Sequence, residues 1–96
     1  MKFAAFKVSI DRAKPPPGIS LALQALWWEA KGDWDKAHEC AQAAKGKAGD
    51  WAHAYLHRKE GDQSNAAYWY ARVGQPVSTL SLPREWDAMA RALLED

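Results

Sequence analysis

From Leu21 to Val73 the apolar residues recur at helical spacing. Leu23, Leu26, Trp27 and Ala30 fall at i, i+3, i+4 and i+7, and Trp34, Ala37, Ala41 and Ala44 line one face of the next segment. Trp51, Ala52, Tyr55 and Leu56 form the apolar side of a third helix, and Ala66, Trp69, Tyr70 and Val73 that of a fourth. Trp86, Met89, Ala90, Leu93 and Leu94 share one face further on, the cleanest amphipathic pattern in the chain. At the N-terminus Phe3, Phe6 and Ile10 suit a helix, whereas Phe6, Val8 and Ile10 alternate as in a strand. A single strand would have no partner, so a short helix packed on the body is expected.

The breaks between these segments carry their own chemistry. Gly32-Asp33 and Gly61-Asp62 each pair a residue that ends a helix in the left-handed region with one whose carboxylate can cap the next. Links this short force antiparallel neighbours. Ser20 is placed to cap the helix ending at Lys31, and Lys14-Pro15-Pro16-Pro17-Gly18 reads as a stiff connector. Gly46-Lys47-Ala48-Gly49 reads as a small turn with Asp50 capping the third helix. Gly74-Gln75-Pro76 ends the fourth, and Pro83 suits a first helical turn. The expected fold is therefore all-α and a single domain. Segment 1–18 precedes two antiparallel helical hairpins, 19–45 and 50–74, and a C-terminal helix over 82–95 closes them.

Composition narrows the partners. Thirteen basic and twelve acidic residues leave a formal charge of +1, which offers no basic excess for nucleic acid or an anionic membrane. A single cysteine, Cys40, excludes an intrachain disulfide and suits a reducing compartment, so a cytoplasmic location is expected. Signal-peptide and membrane-span patterns are both missing from the 96 residues. Six tryptophans give a small core a large apolar area to bury.

The two hairpins repeat at an offset of 29 residues. Leu26, Gly32-Asp33 and Ala37 in the first correspond to Tyr55, Gly61-Asp62 and Ala66 in the second. With Trp69-Tyr70, Arg72 and Gly74 added, the layout resembles a tetratricopeptide or Sel1-like helical repeat. The stretch HAYLHRKEGDQSNAAYWYARVG also resembles one in small bacterial proteins without an assigned activity. The resemblance implies a non-enzymatic module that binds a protein or peptide on the surface made by the first helix of each pair.

Under the same offset Gln24, Trp28 and Lys31 correspond to His53, His57 and Glu60. These six residues form the expected binding face, and the exposed ends of so short a stack suit a homodimer. A second reading starts from His53 and His57, one turn apart on a helix, which can hold one divalent ion such as zinc. Glu60 lies about 10 Å along the axis from His53 and cannot readily join both. The third ligand would come from a facing helix, with His38, Glu39 or Glu29 as candidates and His38 completing an all-histidine set. His57 beside a carboxylate could also act as a general base for hydrolysis, though no nucleophile or oxyanion site accompanies it. On the helical wheel both histidines fall opposite the apolar stripe, where a solvated polar face is expected.

Overall fold

The computed structural model describes residues 1–94. Six helices follow in order: α1 (Phe3–Ser9), α2 (Leu21–Lys31), α3 (Trp34–Ala43), α4 (Gly46–Glu60), α5 (Gln63–Val73) and α6 (Leu82–Leu94). The class is all-α, as the spacing predicts. Glu95, the last position of the expected closing helix, lies outside the described residues.

The Gly-Asp pairs act as the sequence implies. Gly32 and Gly61 sit at φ 87° and 88°, and the amides that follow reach back to the Trp28 and His57 carbonyls. Asp33 then accepts the Lys36 amide at 3.1 Å, and Asp62 accepts the Asn65 amide at 3.3 Å. One residue stops a helix and its neighbour starts the next, so α2 folds back on α3 and α4 on α5. Ser20 caps α2 through the Leu23 amide at 3.2 Å.

One boundary differs. Residues 46–49 are the first turn of α4 rather than a loop, and Asp50 is inside the helix rather than at its cap. Gly49 is buried because the Ala44 carbonyl and Cβ lie directly over its Cα; a glycine there permits that close approach. Of the two glycines read as a turn, Gly46 does turn the chain at φ 82°, while Gly49 marks a packing contact.

Two groups of buried residues hold the helices together. The larger joins Phe6, Leu23, Leu26, Trp27, Leu56, Trp86 and Met89, and the smaller Ala54, Ala66 and Tyr70. α6 closes the first: Trp86 donates its indole N–H to the Leu26 carbonyl at 3.1 Å and stacks on Phe6 at 5.8 Å. Ala30, expected on the core face of α2, is exposed. Polar groups buried with the core are answered from within. Glu85, 2% exposed, accepts from Trp51, from Arg58 at 2.8 Å and from the Tyr70 hydroxyl. Arg58 also bonds the Leu80 carbonyl, which ties the α5–α6 connection to α4. Among the described residues no helix is long and apolar enough to cross a membrane.

Candidate functional site

α4 is the central helix, packed against α2, α3, α5 and α6. Its run Ala52-His53-Ala54-Tyr55-Leu56 is buried without interruption. His53 is thus not on a solvated face. It is 7% exposed, with α3 on one side and α5 on the other, and this corrects the wheel-based expectation. A wheel drawn for one packed stripe does not describe a helix enclosed on several sides.

Three imidazoles converge there. His53 and His57 stack at 5.0 Å and 8°, as residues four apart on a helix can. His38 comes from α3, with its ring 5.7 Å from His53 and 5.5 Å from His57, edge-on to both. One ring nitrogen from each lies within 4.8 Å of the others. A tetrahedral ion with bonds of about 2.0–2.1 Å needs nitrogens about 3.3 Å apart, so the three rings would have to draw together around an ion to close the set.

The surroundings fix these rings. Trp69 of α5 lies flat on His53 at 4.1 Å and 12°, and Trp34 packs edge-on to His38 at 5.0 Å. The Arg72 guanidinium sits over Trp69 at 5.0 Å. Glu60 meets His57 Nδ1 at 2.7 Å, which directs the lone pair of a neutral His57 to Nε2. Glu60 therefore orients a histidine rather than joining the cluster, in keeping with its distance along the axis. Burial pulls the His53 pKa down to about 4, helped by the neighbouring His57 and His38 and partly offset by Asp50. His53 is neutral at pH 7 and offers a free ring lone pair.

The other expected site residues are engaged elsewhere. Gln24 donates its amide to the Ile19 carbonyl at 3.2 Å. Trp28 is half-buried against Trp27, with the Lys36 ammonium 4.2 Å above its ring. Lys31 is exposed and lies over Trp27. With His53 enclosed, the six residues do not make one exposed surface. Glu29, a candidate third ligand, bonds to Lys59 and to the Tyr55 hydroxyl. Cys40 is half-buried, and its thiol pKa is raised by burial and by Glu39, the reverse of what a reactive thiolate needs.

The residues missed in the sequence are Trp69 and Arg72 as supports of His53. Ala54 was the available signal, because an alanine on the supposed polar side marks that side as packed. No protein family, curated protein or solved structure matches the chain. The fold and the cluster together define an all-α protein with a three-histidine centre between its two helix pairs.

Proposed function

We propose that this chain binds a borderline divalent transition metal, zinc or a close chemical relative, through His38, His53 and His57. The observation that carries the reading is the meeting of three ring nitrogens from two helices around a neutral, enclosed His53. Imidazole suits zinc, copper, cobalt and nickel, and poorly suits calcium or magnesium. Glu60 supplies the outer hydrogen bond that metal-ligating histidines commonly have.

Three protein ligands leave a fourth position for water or another ligand, the arrangement of exchangeable rather than closed zinc sites. His38 belongs to the first helix pair, and His53 and His57 to the second. An ion here would clasp the pairs together, and its binding would add to stability by mass action.

The test is a zinc titration of metal-free protein followed calorimetrically, with His38→Gln, His53→Gln and His57→Gln beside the parent. One ion per chain is expected, with each substitution weakening binding about tenfold or more. Binding unaffected by all three, or no retained zinc, would overturn the reading.

A further inference from the structure

We infer that the cleft between α1, α2, α4 and α6 binds a small primary amine with an apolar body, its ammonium against the Glu29 carboxylate. The cleft measures about 440 Å³, the size of a small-molecule site, and shares no residue with the three-histidine centre. Ile10, Ala30, Tyr55, Leu82, Pro83 and Trp86 give it largely apolar walls. The exposure of Ala30 has its reason here. It continues the Leu23, Leu26, Trp27 stripe of α2, and the cleft lies where a covering side chain would be.

The polar end is built around Glu29. Its side chain is 3% exposed, and burying a carboxylate is costly unless both oxygens find donors. Oε1 accepts from the Lys59 ammonium and, at 3.5 Å, from the Tyr55 hydroxyl. Oε2 accepts from no group among the described residues. No fully buried side-chain oxygen among them lacks a partner, so Oε2 keeps a small opening, and the cleft is the opening that Glu29 borders. A donor arriving through the cleft would complete the carboxylate.

The charges around the cleft select a cation. Lys59 is held by Glu29, and Lys7 by Asp87 at 3.4 Å, with the Lys7 ammonium 5.6 Å from the Trp86 ring. Asp11, exposed on the same cleft, has no side-chain partner among the described residues. Three carboxylates against two ammonium groups leave the lining with one net negative charge. A carboxylate ligand would meet two lysines already paired and an unbalanced acid. A primary ammonium brings three donors to Oε2 and gains from the charge of Asp11. Its apolar body then covers Ala30 and takes apolar area out of water. The inference does not depend on the metal reading, because every group named is present in the metal-free chain.

The experiment titrates phenethylamine into metal-free ¹⁵N-labelled full-length protein at constant pH and ionic strength, with phenylethanol, phenylpropionate and phenylalanine as comparisons. Saturable shifts are expected at the Ile10 and Ala30 amides and the Trp86 indole N–H, with the Trp69 indole unmoved. The amine should bind about tenfold more tightly than phenylethanol, and phenylpropionate more weakly still. Glu29→Gln should lower the affinity for the amine about tenfold, and Asp11→Asn severalfold. Ala30→Leu should keep the helix and abolish binding by filling the cleft. Asp11 and Ala30 are exposed, so their variants decide the matter even where Glu29→Gln fails to fold. Shifts that never saturate, that phenylethanol or phenylpropionate reproduces at equal affinity, or that survive Asp11→Asn and Ala30→Leu unchanged would overturn the site. Tighter binding of phenylalanine than of the amine would overturn the choice of a cation, in favour of a zwitterion that the lysines also hold.

Discussion

The ring of Trp69 lies on the ring of His53, 4.1 Å between centroids and 12° from parallel, although the two sit on different helices. Trp69 holds the plane of the His53 ring, the same ring that meets His38 and His57. Trp69→Leu should lower unfolding stability by about 1–2 kcal/mol, the scale of a lost aromatic pair plus partial burial. It should also weaken zinc binding severalfold without removing a ligand. Urea unfolding and zinc titration of the same variant separate the two effects.

Glu60 acts on the site through His57. Glu60→Gln keeps a hydrogen-bonding group of the same size but loses the negative charge that favours a proton on Nδ1. Zinc affinity should fall about tenfold while stability of the metal-free protein changes little, since Glu60 is exposed. A competition titration against a chelator of known affinity measures this directly.

Glu85 is the anchor of the opposite side of α4. Removing its carboxylate takes the acceptor from the buried Tyr70 hydroxyl and from the half-buried Trp51 indole, and leaves Arg58 only the Leu80 carbonyl. Glu85→Ala should cost about 3–5 kcal/mol, the range for breaking one side of a buried charge pair. Chemical denaturation checks the value, and a loss below about 1 kcal/mol would show that the network contributes little.

Gly49 sets two effects against each other. Helix propensity alone favours alanine over glycine by about 1 kcal/mol. A Cβ at Gly49 would run into the Ala44 carbonyl, which is backbone and cannot move aside without shifting the α3–α4 link. The clash should prevail, and Gly49→Ala should destabilise by about 1–3 kcal/mol in thermal or urea unfolding.

Burial raises the Tyr55 and Tyr70 phenols well above the usual tyrosine range, with Glu29 acting further on Tyr55 and Glu85 on Tyr70. A folded-state pKa above the unfolded value gives stability that is complete below about pH 10 and is lost as the pH rises further. Phenolate absorbance from these two of the three tyrosines should therefore appear together with the loss of helical circular dichroism, not before it.

The fold was legible where the chain signals locally. Gly32-Asp33 and Gly61-Asp62 specify a stop and a start within two residues, and Ser20 and Pro83 mark helix beginnings without help from distant groups. Gly49 misled because its glycine answers to Ala44, and loop and close-packed glycines look alike in a sequence. The site was legible in part. His53 and His57 are a visible pair, and His38 was among the candidates for a third ligand. The enclosure of His53 was not visible, because it comes from Trp69 and His38 on separate helices. Glu29 shows the same limit: its acidity made it a ligand candidate, while its actual partners lie on α4.

Zinc-edge X-ray absorption of the loaded protein tests the central claim most directly. The first coordination shell should contain three imidazole nitrogens at about 2.0–2.1 Å plus one oxygen or nitrogen ligand, with outer-shell scattering typical of imidazole rings. A shell of oxygen ligands alone, or the same spectrum from His53→Gln, would contradict the three-histidine centre.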